Sequence, residues 1–531
     1  MLQNSLLIIA SFLLVFIPLF PKIPLLDILP GYIVRMRAED LLVLFAFIYY
    51  LYLLFKKKID FKNKVTPWIF AYLGIASLSI LSAVFLIKTI PLQLLHVGKS
   101  VLHLFRYTEY FSLFFIMFSS IKKPKDIKVV LYALIFTVMA VSVYGYGQRY
   151  WYWPVFSTMN REFSKGIVLY LTEHARVQST FGGHYDLAAY LTIVLPILYL
   201  LAINIKNKWQ RFGLHFVHVV GLWLLVMSAS RTSFIAYIGA VLVGILLFSL
   251  SKEKFLNKVF YFAKKSFTYL LLVSILMYSF GEDMRERFEQ VLRAYPETYK
   301  NYETTRDFTI KQLSFFKDPI ARIKEIQESK KPKNGIAFDN TLTPTDEQPV
   351  VTKPIDVYVD IPEKVAVATA GAIVYEERPR TWSANAIKYG LSFAIRLDEL
   401  WPNAINGFMK NPLLGSGYAT LNKKEFYQFT EAESTDNNFL RTLGETGLLG
   451  LISFYGAIIT LLIILYQNQK GEKLNQLKVI NIAFTAASIG LLLNATYIDV
   501  FASSKVAFTY WALAGAILAY NNHVKKTKKG S

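Results

Sequence analysis

The 531-residue chain contains no cysteine, which excludes disulfides, cysteine-ligated zinc and thiol nucleophiles together. Charge is sparse, with Asp, Glu, Lys and Arg making up 18% of residues against 54% hydrophobic and 15% aromatic. Acidic residues are the scarcer sign, 37 against 58 Lys and Arg, so the formal net charge is +21. No glycine-rich phosphate loop is present, and no carboxylate pair has a convincing metal-binding spacing; "DVYVD" at 356–360 reads as an alternating strand. No nucleotide, metal or other cofactor is therefore expected. The N-terminal apolar run Leu6–Phe20 lacks a basic segment ahead of it and ends in Pro-Lys rather than a small-residue cleavage site. That pattern predicts a retained first span, not a signal peptide.

What is present is the pattern of an all-α polytopic membrane protein, with a mean hydropathy of +0.36. Apolar segments near the ~20 residues needed to cross a bilayer fall at 4–20, 39–55, 67–87, 101–120, 128–147, 187–205, 214–230, 232–250, 266–281, 447–466, 479–497 and 506–520, about twelve spans. Lysine-rich connections at 56–64, 122–128, 206–211, 252–265, 470–478 and 525–529 place those loops and both termini in the cytoplasm by the positive-inside rule. The positive charge then reflects topology, and no nucleic-acid partner is expected. Residues 1–281 carry spans one to nine with short outer loops, 282–446 form a large external loop, and 447–531 carry spans ten to twelve and a basic cytoplasmic tail.

The external loop reads as mostly helical. Met284, Phe288, Val291 and Leu292 recur at spacings of three and four, one face of a helix. Residues 330–380 are punctuated by prolines and predict a small β or flexible insert; helical periodicity returns from Ala384 to Lys410, and "NPLLGSGY" at 411–418 turns the chain back to the membrane. The aromatic stretch from Tyr144 to Pro154 suits the outer interface.

Where inner connections carry lysine, outer ones carry Arg35, Arg37, Arg149, Arg161, Arg176 and Arg231. The guanidinium fork suits bidentate phosphate binding; gripping lipid headgroups is the alternative. Arg231, in "MSASRTSF" between two spans, is expensive near the membrane core and reads as an anion site or as a snorkelling interfacial residue. Arg176 lies near His174 and His184, with Gly182 and Gly183 allowing close backbone approach. His184 is either a base ranked below Asp436 or a hydrogen-bonded packing residue. Arg106 and Glu109, three apart, read as neutralising each other on one helix face. Arg396, in "FAIRLDELWPNAI", either reaches the membrane surface or pairs with Asp398 and Glu399. Asp436 opens "DNNFLRTLGETGLLG", where an Asp before an apolar run reads as an N-cap. The helix dipole is expected to lower its pKa, leaving a proton-ready but weak base. Gly444, Gly447 and Gly450 recur every third residue and predict close packing on a neighbouring span.

Taken in order, these stretches resemble the O-antigen ligase and polymerase superfamily of integral-membrane glycosyltransferases. The resemblance lies in "RMRAED" at 35–40, "SASR" ending at Arg231, Arg396 to Trp401, "NPLLGSG" from Asn411 to Gly417, and Asn437 followed by Gly447 and Gly450. Ligases carry a histidine where this chain has Asp436; the distantly similar SEDS-type peptidoglycan glycosyltransferases offer a precedent for an acidic residue in an outer loop. The resemblance implies metal-independent, inverting transfer of a glycan from an outward-facing polyprenyl-diphosphate donor to an acceptor sugar hydroxyl, as a polysaccharide polymerase. The alternative within the class is a ligase to a lipid or protein acceptor. In that picture Arg231 and Arg396, with Arg176, stabilise the departing diphosphate, Asn437 and His184 contribute to substrate binding, and Asp436 takes the acceptor proton. The partners implied are the lipid-linked donor, a glycan or lipid acceptor, membrane lipids, and chain-length regulator or flippase proteins. The setting implied is a bacterial-type cytoplasmic membrane with the active face outward. Outside the class stand a flippase or transporter of lipid-linked glycan, which usually shows repeated halves not visible here, and a non-catalytic scaffold.

Overall fold

Every apolar run expected to span the membrane forms a helix in the computed structural model. The structure describes residues 2–29, 35–159, 163–172, 175–292, 296–313, 336–338, 363–369, 372–378, 381–421, 434–470 and 475–529. The first nine long helices are α1 (Leu2–Leu19), α2 (Ala38–Phe55), α3 (Thr66–Leu81), α4 (Leu94–Ser120), α5 (Ile127–Tyr150), α6 (His184–Ala202), α7 (Lys208–Met227), α8 (Arg231–Leu250) and α9 (Phe255–Phe280). The long segment after α9 follows with α10 (Glu282–Leu292), α11 (Pro296–Leu313), α12 (Ala384–Tyr389), α13 (Leu391–Ile395) and α14 (Trp401–Lys410). The chain closes with α15 (Asn438–Gln469), α16 (Gln476–Ala495) and α17 (Ser504–Lys529). Among the described residues nine helical segments are long and apolar enough to cross a membrane. The molecule is an all-α polytopic membrane protein.

Helix α6 is the axis of the bundle: 89% of its apolar span is buried, and α7, α8 and α16 pack around it. Helix α4 runs along α17, and α3 along α15. Polar side chains fasten these contacts, because apolar surface alone gives helices little reason to associate within lipid. Asn521 of α17 bonds Asn468 of α15 at 3.0 Å and Asn481 of α16 at 2.9 Å. Asn494 of α16 donates to Ser233 of α8 at 3.0 Å. Helices α4 and α17 carry buried cations. Lys505, 1% exposed, donates to the carbonyls of Pro18, Phe20 and Thr180 at 2.7–2.9 Å, tying the end of α1 to the connection before α6.

Strands are few and short. β1 (Pro24–Leu26) pairs antiparallel with β2 (Met36–Arg37), β3 (Leu169–Leu171) pairs parallel with β4 (Ile336–Phe338), and β5 (Glu363–Thr369) forms a hairpin with β6 (Ala372–Arg378). The β3–β4 pair ties the insert to the connection before α6. The strand expected at 356–360, Arg161 and His174 lie outside the described residues.

Helix α15 breaks at Gly447, whose φ of 68° and ψ of −170° lie where only glycine is comfortable. The opening admits the turn at 411–417: Leu448 and Leu449 donate backbone N–H bonds to the carbonyls of Pro412 and Leu413 at 2.9 and 3.2 Å, while Ser416 and Gly417 donate to Gly444 and Glu445 at 2.8 and 3.0 Å. A Cβ at Gly444 would lie 2.7 Å from the Ala404 carbonyl of α14. Gly444 and Gly447 do pack closely, but against α14 and its following turn rather than on a neighbouring span as expected. Gly450 instead faces Thr446 of its own helix.

Candidate functional site

The two polar turns preceding α15 and α17 meet, and their meeting point is organised by Asp499. Its carboxylate accepts the backbone N–H groups of Thr435 (2.8 Å) and Asn437 (3.0 Å) and Arg441 Nη1 (3.1 Å), and lies 3.1 Å from Ser434 Oγ. Asn437 is the residue that caps α15, its Oδ1 accepting from the backbone of Phe439 and Leu440 at 3.0 Å each. The cap thus sits one residue later than the N-cap reading of Asp436. Between these fixed neighbours Asp436 takes a left-handed φ of 51°, a conformation that Asp tolerates better than most residues.

Freed from capping, the Asp436 side chain meets Arg396, whose Nη2 lies 2.7 Å from Oδ2. Its other oxygen accepts from Ser434 Oγ at 2.5 Å. The pairing of Arg396 with Asp398 does not form: Asp398 accepts from Ser383 and Asn385 at 2.5 and 2.6 Å. Arg396, 5% exposed, also donates to the carbonyl and hydroxyl of Ser392. Its guanidinium lies 4.0 Å from the centre of the Tyr497 ring, a cation–π contact that fixes its plane. Burial raises the Asp436 carboxyl above its ordinary range, Arg396 opposes the rise and Asp499 adds to it. The dipole-driven lowering expected from sequence is overturned because the carboxylate lies beside the helix start, partly withdrawn from water, rather than on the cap.

The other sequence candidates converge here to different degrees. Arg176 donates to His184 Nε2 and, at 3.3 Å, to the Tyr185 hydroxyl, and Tyr185 is within electrostatic reach of Arg396 and Asp436. The Arg176 bond occupies the His184 lone pair and favours its packing role over a base role. Tyr497 is within electrostatic reach of both Arg396 and Arg231; Arg231 itself bonds elsewhere, its Nη1 donating to the Arg287 carbonyl at 2.7 Å. The space beside Gly182 is filled by Thr158 Oγ1, an internal contact. Arg106 is 3.5 Å from Glu109, as expected, and nearer still to Asp40 at 2.5 Å.

A cavity of about 760 Å3 opens beside Asp436, within the ~300–1,000 Å3 range typical of small-ligand sites. Asp436 and Tyr185 form part of its wall, and the exposed apolar residues Ile28, Leu44 and Phe105 line it where it meets the surface beside α2 and α4. Arg176, Arg231 and Arg396 are not among the described residues that line it. Asp436 therefore has the Arg396 guanidinium against one carboxylate oxygen and borders an open volume. Such an arrangement can bind an anion and accept a proton from a hydroxyl at adjacent points. Among the described residues no group of three or more His, Asp or Glu side chains has metal-binding geometry.

Asp499, Tyr497, Tyr185 and Arg441 escaped sequence reasoning. The available signal was Asp499 itself, an acidic residue in the short turn between two apolar runs, a costly place for a charge without a partner. Replacing it by Ala leaves two backbone N–H groups without their acceptor and removes one of the two carboxylates on Arg441, which keeps Glu445 at 3.3 Å. We expect Asp499→Ala to destabilise the protein by about 3–5 kcal/mol, read as a lowered melting temperature in lipid nanodiscs; an unchanged transition sinks this assignment.

Compared with known proteins, the chain matches no protein-family model and no curated sequence.

Proposed function

We propose that the protein is a membrane glycosyltransferase that moves a glycan from a polyprenyl-diphosphate donor to an acceptor sugar hydroxyl, acting as a polysaccharide polymerase. The observation that carries this reading is the Asp436 carboxylate, held by Arg396 and Ser434 in the wall of a cavity with an apolar mouth. The motif order of the O-antigen ligase and polymerase superfamily supports it.

In this reading the acceptor oxygen attacks the anomeric carbon from the face opposite the diphosphate. The C–O bond to the diphosphate breaks, its electron pair leaves with the phosphate oxygen, and the anomeric centre inverts. Arg396, with Arg231 and Arg176, offsets the charge growing on the leaving group. The proton of the acceptor hydroxyl passes to Asp436. A diphosphate is already a good leaving group, so neither a covalent intermediate nor a nucleotide is required. The exposed apolar residues at the cavity mouth suit a substrate that arrives within the bilayer.

The test is transfer by purified protein in nanodiscs from a synthetic polyprenyl-diphosphate glycan. Polyprenyl diphosphate release matched by a lengthened lipid-linked glycan supports a polymerase, and glycan on a different lipid or protein supports a ligase. Movement of intact donor across the bilayer without cleavage would replace the reading with a flippase. The outward orientation of the 282–446 segment is checked by cysteines introduced singly into a chain that has none. Protection of those sites from an impermeant reagent in intact cells reverses it.

A further inference from the structure

The segment that leads into α15 reaches two membrane-crossing helices below their ends. Its turn at 411–417 fills the break in α15 at Gly447. On the other side the same turn meets the end of α3: Asn411 Nδ2 donates to Ser82 Oγ at 3.0 Å, and a Cβ at Gly417 would lie 2.5 Å from that of Ala83. Ser82 and Ala83 belong to the apolar span Thr66–Leu86, whose end at Leu86 lies about 6 Å beyond Ser82 at 1.5 Å per residue. Leu78, Leu81, Phe85 and Leu86 of that span are exposed, so apolar surface brackets the level of the turn. Lipid chains that cover those side chains reach the turn as well.

Helix α14, which runs into this turn, has three faces. Ala404 and Gly407 are buried, against Gly444 of α15 and Leu421. Ile405 and Met409 are 47% and 66% exposed and, with Leu413 at 58%, recur every fourth residue as one stripe. Asn406 and Lys410 are exposed on a second stripe, about 100° further round the helix. Faces toward protein, apolar surroundings and water are the pattern of a helix lying in a membrane interface. The apolar stripe also joins the exposed side of α15: Leu449 donates its backbone N–H to the Leu413 carbonyl at 3.2 Å, and Leu448, Leu449 and Ile452 are exposed. We propose that α14 and its following turn bind the bilayer at the Asp436 end of the bundle. Ile405, Met409 and Leu413 lie among the acyl chains, and Asn406 and Lys410 face the headgroups and water. The segment expected to be wholly external then dips into lipid at 401–417, where α15 takes up backbone groups of the turn. This placement goes beyond the transferase reading and does not depend on it. It bears on the site, because Arg396 lies in the helical turn Arg396–Leu400 that continues directly into α14, so the depth of α14 sets the height of the Arg396–Asp436 pair over the bilayer.

Site-directed spin labelling tests this on the full chain in nanodiscs of phosphatidylcholine and phosphatidylglycerol, since the native chain has no cysteine. Labels are introduced singly through Ile405→Cys, Met409→Cys, Leu413→Cys and Asn406→Cys, with Ile459→Cys, an exposed position further along α15, as the lipid reference. Collisions with oxygen, which concentrates among acyl chains, are compared with collisions with a nickel chelate, which stays in water. The labels at 405, 409 and 413 are expected to meet oxygen more often than the chelate, as at 459, and the preference should shift toward the chelate at 406. An oxygen preference at 405 and 409 no greater than at 406 overturns the proposal. Shielding of 405 and 409 from both agents also overturns it, because a protein surface, of this chain or of a second copy, then covers the stripe. These side chains point away from the protein, so the variants should keep the melting temperature of the parent. If one fails to fold, the remaining two decide; failure of all three contradicts an exposed stripe and overturns the proposal as well.

Discussion

Asp436→Asn is expected to lower transfer turnover by about 10^2–10^4-fold while leaving donor binding nearly unchanged. The amide is close to isosteric but cannot take the acceptor proton. The surrounding turn should persist, because its backbone is held by Asp499 and capped by Asn437, not by Asp436. Full turnover in the Asn variant would end the base assignment. A pH profile provides an independent check. Burial raises the Asp436 carboxyl above the ordinary range, and a base works only when deprotonated. The rate should therefore rise with pH along a limb centred above the ~3.9 of an unperturbed aspartate, and the Asn variant should lack that limb. A limb at or below the ordinary aspartate range contradicts the assignment.

Arg396→Ala should cost about 10^2–10^3-fold in turnover, and unlike Asp436→Asn it should also weaken donor binding. The guanidinium has two proposed duties that its geometry joins: it faces the Asp436 carboxylate at 2.7 Å and, fixed over Tyr497, presents further N–H groups to a leaving diphosphate. Arg396→Lys keeps the charge and loses the planar fork, so it should recover donor binding better than turnover. Because both residues serve one step, the Asp436→Asn/Arg396→Ala double variant should be little worse than the poorer single variant. Fully additive costs would mean that the two act independently and would refute a shared site.

How much of this was legible beforehand follows the range of the forces involved. The long apolar runs gave helices where they were expected because both the hydrogen bonds and the exclusion from water are local to a segment. "NPLLGSG" and the glycines of "LGETGLLG" announced backbone approach, since Gly447 alone among nearby positions takes up the break that receives that turn. Side-chain partnership was another matter. The sequence offers Arg396 two carboxylates within three residues, Asp398 and Glu399, yet it meets Asp436. Helix sequence suggests Arg106 with Glu109, yet Asp40 lies closer.

The amino-acid sequence by itself determined the membrane class, the helix positions and the candidacy of Asp436. Those features depend on composition and on spacing along the chain, where hydrophobic free energy and backbone hydrogen bonding act segment by segment. Only the tertiary structure decided that Asn437 is the cap, that burial makes Asp436 a stronger base than its helix-end position suggests, and that Asp499, far along the chain, holds the turn in place. Pairing energy and desolvation depend on which groups meet across the bundle, and that meeting is set by how the helices pack.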